Sequence, residues 1–167
     1  MPGSDPWRKR RRPLDFLHLV QPSQLLAVNG LILRAIDGWD LPPRVKRLAG
    51  PSHCYDEVDL TTMDIRYLGT SAKPTGVVAL ETVGVEEAPE QPAWRIHGIY
   101  VNPEAQGQGF GAQLLRDAQR RARAEGVAYL TVRAQKDAVG FFSAQGFTPL
   151  VTTNPELAYP HQFLLRL

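Results

Sequence analysis

Apolar residues recur along this chain with two different spacings, and the change of spacing predicts the order of its elements. Leu14–Val20 is an apolar run typical of a first strand. From Gln24 to about Ile36, apolar residues recur every three or four positions, as on one face of a helix. Pro42-Pro43 interrupts that pattern; a short helix is expected over Arg44–Leu48, and Gly50-Pro51 is predicted to close it.

The middle of the chain is predicted to form three strands. Met63–Gly69 and Thr75–Val83 are rich in apolar and β-branched residues. Ser71–Pro74 between them has the composition of a tight turn, which predicts an antiparallel hairpin. A connection at 84–92 with three glutamates and two prolines then leads to the third strand, Trp94–Val101.

Helices and strands alternate in the last third of the chain. Ala112–Glu125 is dense in helix formers and ends at Gly126; its small and aliphatic residues are predicted to face the core and its arginines the solvent. The elements predicted after it are a strand at Val127–Val132, a helix at Asp137–Gln145, a strand at Phe147–Thr152 and a last strand near His161–Leu167. This order predicts an α/β fold in which helices cross over a sheet.

Composition adds mainly exclusions. A chain of 167 residues with 43% hydrophobic and 22% charged residues is expected to form one domain, here 14–167. The single cysteine, Cys54, forms no internal disulfide, and the four histidines lack the spacing of a zinc site, so no metal is expected. The single cysteine favours a reducing, cytoplasmic location. Apolar runs are far shorter than the roughly 18 residues that span a bilayer, and no signal sequence is evident, so no membrane contact is expected.

Positive charge is concentrated near the amino terminus. The net charge is +2, and Arg8–Arg12 supplies five positive charges, so the rest of the chain is mildly acidic. We interpret residues 1–13 as a basic, disordered leader, because no recognition helix or basic-aromatic surface follows it. Recruitment of nucleic acid through this run is the less favoured alternative.

A glycine-rich turn, Gln106–Gly111, joins the third predicted strand to the helix that follows. Its three glycines leave the backbone open to a phosphate, and the first turn of the helix directs unpaired N–H groups and the positive end of its dipole towards it. These features predict a cradle for a diphosphate. A dinucleotide fingerprint would need a glycine where Ala112 stands, and no Gly-Lys-Ser/Thr follows, so neither common nucleotide motif fits.

Together these residues resemble the GNAT superfamily of acyl-CoA-dependent N-acyltransferases. The turn is similar to the family's Gln/Arg-x-x-Gly-x-Gly/Ala signature, Val101-x-Pro103 precedes it, and Ala138–Phe147 is similar to the A-x-x-F-Y-x-x-x-G-F segment. Val132–Gln135, Gly146–Pro149 and Tyr159–His161 are similar to the ElaA-like branch. The resemblance implies a mixed, mostly antiparallel central sheet flanked by helices, an α-β-α sandwich, and acetyl-CoA as acyl donor.

The resemblance also implies which residues contact acetyl-CoA. The strand before the turn would pair its backbone with the pantetheine arm, and the amides after it would hold the diphosphate. Gln106 stands where many members have arginine, so binding is expected to depend more on amides and the helix dipole. The implied cofactor-binding residues are Ile99, Tyr100, Val101, Gln106, Gly107, Gln108, Gly109, Phe110, Gly111, Ala112, Gln135 and Phe142.

The implied reaction is direct transfer of acetyl to a primary amine, which needs a general base. Some members place a glutamate nine residues before the signature, where this chain has His97; an ordinary imidazole accepts a proton near neutrality. A strand histidine without a catalytic role is the equal alternative. Asp56 and Glu57 are alternative bases or, with more weight, carboxylates that bind the ammonium group; a solvated loop without a role is slightly favoured over both. Tyr159 could reach the acceptor.

Phe141-Phe142 stands where many members carry a tyrosine general acid. Phenylalanine donates no proton, so the thiolate, with an ordinary pKa near 8.5, could leave unassisted or take a proton from water. A catalytically weak acyl-CoA-binding regulatory module that acts through a protein partner is therefore the alternative function. The sequence predicts a small-molecule or peptide amine as acceptor, and it leaves a homodimer open.

Overall fold

The computed structural model describes residues 16–82, 92–151, 156 and 159–167. Within them, seven strands form one sheet in the order β1-β2-β3-β4-β5-β7-β6, with β4 and β5 parallel and every other neighbouring pair antiparallel. The strands are β1 (Leu17–Leu19), β2 (Asp64–Gly69), β3 (Pro74–Thr82), β4 (Ala93–Val101), β5 (Tyr129–Arg133), β6 (Thr148–Pro149) and β7 (Gln162–Arg166). The predicted mixed, mostly antiparallel sheet is confirmed.

Helices cover both faces of this sheet. They are α1 (Leu25–Asp37), α2 (Pro43–His53), α3 (Asp59–Thr62), α4 (Phe110–Ala124) and α5 (Val139–Ala144). Strand β3 shows how the two faces divide: Val77 and Ala79 pack in a core with α1, whereas Val78 and Leu80 pack in a second core with α4. Successive strand residues point to opposite faces, so one apolar strand serves both cores.

Several predicted elements differ in extent from those that form. Helix α2 continues to His53, through the Gly50-Pro51 pair that was predicted to end it. Gly50 is buried, and a Cβ there would lie 2.9 Å from Leu33 Cδ2, so this glycine permits close packing of α2 on α1. Of the strand predicted at Phe147–Thr152, β6 covers Thr148–Pro149, and the Leu150 backbone N–H also donates to Gln162 O of β7 (2.8 Å). The Arg8–Arg12 run and most of the acidic connection, at 83–91, lie outside the described residues.

Arg121 on α4 is buried, contrary to the prediction that the arginines of this helix face solvent. Its guanidinium contacts Asp64 on β2 (Nη1 to Oδ1, 2.5 Å) and Asp117 one turn earlier (Nε to Oδ2, 2.7 Å). Burial raises the pKa of Asp64, but the hydrogen bond from Arg66 and the charge of Arg121 outweigh it, so the net pKa is below the ordinary value. This network fixes α4 to the sheet.

Candidate active site

Strands β4 and β5 run side by side for four residues and then part. Their parallel pairing extends from Ala93 opposite Tyr129 to Ile96 opposite Val132, whereas β4 continues to Val101. On its other edge, β4 stays paired with β3 to its end. The β5-facing edge of β4 after Ile96 therefore borders an opening between the strands, where its backbone groups can meet a ligand.

A β-bulge in β4 sets the position of His97. Ala79 of β3 lies opposite Gly98, and the next residue, Leu80, lies opposite Ile96, so His97 is the extra residue of the bulge. The side chain is exposed and lines the cavity described below. The bulge thus directs an imidazole into the opening at the point where β4 and β5 part.

The predicted glycine turn connects the end of β4 to α4. Gly107 (φ 77°) and Gly109 (φ 86°) have left-handed backbone conformations, which L side chains rarely adopt. Within the part of the chain that the structure describes, a Cβ at either position would meet no atom within 4 Å, so backbone conformation and open space distinguish these glycines. Helix α4 begins at Phe110, directly after Gly109, and its first-turn N–H groups have no partner within the helix. The side-chain amide of Gln106 (Nε2) donates a hydrogen bond to Val101 O at 3.4 Å.

A cavity of about 300 Å³ lies where the strands part. Its walls come from the α1–α2 turn, the end of α2, β4, β5 and the segment before α5. The Asp40 amide donates to Asp137 Oδ2 (3.0 Å), which links the α1–α2 turn to that last segment. Six residues predicted from the sequence line the cavity: His97, Ile99, Tyr100, Gln106, Gln135 and Phe142.

Two histidine–tyrosine pairs lie at this site. Tyr55 OH is 3.1 Å from His97 Nδ1, and Tyr100 OH is 2.7 Å from His53 Nδ1. Burial raises the pKa of both tyrosines, with smaller contributions from neighbouring groups, so both phenols keep their protons at neutral pH. Burial, and to a lesser degree the charge of His97, lowers the pKa of His53, which favours its neutral form. The Trp39 ring packs on His53 and Tyr100, with centroid distances of 5.3 and 6.4 Å.

Gly98 makes room for both tyrosine hydroxyls beside the bulge. A Cβ at this position would lie 2.6 Å from Tyr55 OH, 2.5 Å from Tyr100 Cε2 and 3.1 Å from Tyr100 OH. Any larger residue would therefore overlap both side chains. The two phenols converge on the same short stretch of β4 backbone.

The predicted acceptor-binding residues are not gathered in the cavity. The Asp56 carboxylate accepts the backbone N–H groups of Val58 and Asp59 (2.8 and 3.0 Å) at the start of α3. Neither Asp56 nor Glu57 is among the cavity-lining residues, so their acceptor roles stay predictions. Tyr159 packs its ring on the Arg133 guanidinium, 3.6 Å from the ring centroid, and Arg133 lines the cavity.

Four residues that form or accommodate the two histidine–tyrosine pairs were not predicted as site residues from the sequence: Trp39, His53, Tyr55 and Gly98. Tyr55 and His97 are 42 positions apart in the chain, and His53 and Tyr100 are 47 apart. No local spacing brings such pairs together: α1 packs on β4, α2 packs on α1, and Asn29 of α1 holds the Tyr55 backbone through two hydrogen bonds (2.8 and 2.9 Å). Only Gly98, a glycine inside a predicted strand, carried a signal, since such glycines often mark a bulge or a close approach.

Two classes of feature are absent from the part of the chain that the structure describes. No three His, Cys, Asp or Glu side chains are grouped so that they could hold a metal ion. None of the helices between residues 16 and 167 that can be described is long and apolar enough to cross a membrane.

Parted parallel strands and a glycine turn before a helix are the features that the resemblance to acyl-CoA-dependent acyltransferases led us to expect. The family model described as "Acetyltransferase (GNAT) domain" matches residues 69–157, just over half of the chain. The protein belongs to the GNAT acetyltransferase family, as the sequence motifs implied.

Comparison with known proteins gives relatives of two kinds. Over 98 residues the chain is 33% identical to the tRNA(Met) cytidine acetyltransferase TmcA of Vibrio cholerae, a match that covers 56% of this chain and 14% of that protein. The chain therefore corresponds to a small part of that relative.

Solved structures match most of the chain. The PaiA N-acetyltransferase of Thermoplasma acidophilum, in complex with coenzyme A, has a TM-score of 0.69 and 11% identity, covering 89% of this chain and 95% of that one. A GNAT family acetyltransferase of Brucella melitensis, in complex with acetyl-CoA, has a TM-score of 0.61 and 13% identity, covering 89% and 94%. At these identities the two structures show a shared fold.

Proposed function

We propose that this protein is an N-acetyltransferase that transfers acetyl from acetyl-CoA directly to a primary amine. The parting of β4 from β5 beside a glycine turn at the start of α4 is the observation that carries this proposal. The first feature offers backbone groups to an extended arm, and the second offers amides to a diphosphate. That structures of the same fold hold coenzyme A or acetyl-CoA supports this donor.

In this proposal, the donor lies along the open edge of β4. Backbone groups of Ile99–Val101 pair with the amides of the pantetheine arm, and Gln135 and Phe142 lie on the far side of the opening. The diphosphate is held by N–H groups of residues 107–112 at the positive end of the α4 dipole. Gln106 stabilises the turn through its bond to Val101 O rather than through charge.

The cavity supplies a base for the acceptor amine. The amine nitrogen attacks the thioester carbonyl carbon, a proton leaves the nitrogen, and the carbon–sulfur bond breaks. His97 stands on the bulge at the opening and, in its neutral form, accepts that proton directly or through water. A tetrahedral oxyanion would need donors, which backbone N–H groups of the open β4 edge can provide.

Two measurements test this proposal together. Acetyl-CoA binding is measured by calorimetry, and release of free thiol is followed over a panel of amines. His97→Gln is expected to lower kcat about 10²- to 10⁴-fold with little change in acetyl-CoA affinity. His18→Gln on β1, a strand that contributes no residue to the cavity, is the matched control and is expected to retain turnover. Binding without turnover on any amine would favour the regulatory module instead.

A nucleic-acid base is the second candidate acceptor, favoured by the match to a protein named as a tRNA cytidine acetyltransferase. Arg8–Arg12 could supply the phosphate contacts that such an acceptor needs. RNA binding that weakens steeply with salt and disappears when this run is deleted would support the idea. Unchanged RNA affinity after the deletion, or no acetylated base after incubation with acetyl-CoA, would reject it.

A further inference from the structure

Phe141 and Phe142 on α5 offer no acid for the sulfur that leaves in the proposed reaction. Phe142 is 2% exposed, and its ring packs between Phe141 and Phe147 with centroid distances of 5.1 and 5.3 Å. It nevertheless forms part of the cavity wall. Phe142 itself has no proton to donate, so a proton for the thiolate comes from another wall of the cavity or from water.

Another wall of the same cavity carries a phenol. Tyr100 on β4 lines the cavity together with Phe142 and His53. Its hydroxyl, 2.7 Å from His53 Nδ1, lies over Gly98, next to the bulge where β4 and β5 part. Burial raises its pKa, so the phenol is protonated and able to donate at neutral pH.

We propose that the Tyr100 hydroxyl, held by His53, is the general acid that protonates the sulfur leaving group in place of a side chain at Phe142. This inference rests on the proposed acetyl transfer and assigns a role that the backbone pairing of Tyr100 does not include. His53 acts as the positioning residue. The neighbouring Tyr55–His97 pair has the other task and serves the amine.

The proton balance closes within the cavity and solvent. As the amine attacks and the carbon–sulfur bond breaks, its electron pair leaves on sulfur, and the Tyr100 O–H proton passes to that sulfur. The phenolate recovers a proton from His53 Nδ1, while His53 takes one from water at Nε2. His97 releases the amine's proton to solvent, so the net change is one proton moved from the amine to the thiol.

Other titratable groups around Tyr100 define the background of a pH experiment. Those that face it or the cavity come from α2 and the residues after it, from β4, from β5 and from the segment before α5. They are His53, Cys54, Tyr55, His97, Arg133 and Asp137. Of these, only Tyr55 is a second phenol beside Gly98, which makes Tyr55→Phe a matched control.

The test follows the bound product rather than turnover. Free coenzyme A is bound to the full chain, and the ultraviolet absorbance of its thiolate is recorded against pH. A phenol that donates to sulfur stabilises the thiolate, so the bound thiol should titrate below the ordinary thiol pKa of about 8.5. At the pH where half of the thiol bound to wild type is ionised, Tyr100→Phe should reduce the thiolate fraction about tenfold. Tyr55→Phe should leave the thiolate fraction unchanged.

Each result decides between the two levels of inference. A lowered pKa of the bound thiol in wild type that returns to the ordinary value only in Tyr100→Phe supports Tyr100 as the acid. A thiol that titrates in the wild-type complex like free coenzyme A overturns the role of Tyr100, and this result does not require the Tyr100→Phe variant to fold. An equal effect of Tyr100→Phe and Tyr55→Phe on the thiol pKa also overturns it. If coenzyme A does not bind at all, the proposed acetyl transfer fails as well; binding and turnover with an unshifted thiol reject the general acid alone.

Discussion

Gly98→Ala is expected to damage both the fold and the site by adding one methyl group. The new Cβ would lie 2.5 Å from Tyr100 Cε2 and 2.6 Å from Tyr55 OH, closer than real Cβ atoms approach other heavy atoms. Tyr55 and Tyr100 are 4% and 6% exposed, so both rings are packed among other side chains. The backbone of β4 or the two rings must therefore move.

The cost can be worked from these contacts. Insertion of a methyl group into a packed interior costs about 1–3 kcal/mol. Displacement of the two hydroxyls also weakens their hydrogen bonds to His53 and His97, at about 1 kcal/mol each. If both hydrogen bonds are lost, the total is about 3–5 kcal/mol, which for a chain of this size lowers Tm by roughly 6–20 °C.

Chemical denaturation and thiol-release kinetics measure the two consequences of Gly98→Ala. We expect a lower free energy of unfolding and a kcat reduced at least as much as by His97→Gln. Gly30→Ala on α1 is the matched control, because its Cβ would meet only the end of the flexible Arg34 side chain, at 3.4 Å, and alanine should stabilise the helix by about 0.5–1 kcal/mol. A Gly98→Ala protein as stable and as active as wild type would refute the packing argument.

Two further predictions concern the rest of the scaffold. Gly109 and Gly126 have left-handed backbones (φ 86° and 72°), so alanine at either position should lower the free energy of unfolding by about 1–2 kcal/mol in chemical denaturation. Only Gly109→Ala should weaken acetyl-CoA binding in calorimetry, and equal affinities of the two variants would argue against the glycine turn as the diphosphate site. Because the pKa of Asp64 is lowered in the folded state, its carboxylate adds stability above the ordinary pKa of about 3.9, and this is lost as pH falls through the lower folded value. Asp64→Asn should therefore reduce stability at pH 7 and flatten the acid limb of the stability profile; an unchanged limb would show that the contact with Arg121 is not coupled to folding.

The extent to which this protein could be predicted differs between its parts. The hairpin of β2 and β3 and helix α4 were predicted within a few residues, because alternation, turn composition and helix formers act over short stretches. The glycine turn was also predictable, since left-handed conformations at Gly107 and Gly109 leave a direct mark on the sequence. The extent of α2 was not, because its contact with α1 outweighs the local preference of Gly50-Pro51 to end a helix.

The sequence by itself determined the class of this protein, because the diphosphate cradle is a local structure that glycines and a helix start encode in consecutive residues. The tertiary structure decided how the cavity is equipped. His97 lies on a bulge only through the register of β4 with β3, and His53 and Tyr55 reach β4 only because α1 packs on β4 and α2 packs on α1. Arg121 of α4 is buried for a similar reason, since its partner Asp64 lies on β2, 57 positions earlier in the chain. Contacts between residues more than forty positions apart depend on packing, which no local pattern of apolar and polar residues specifies.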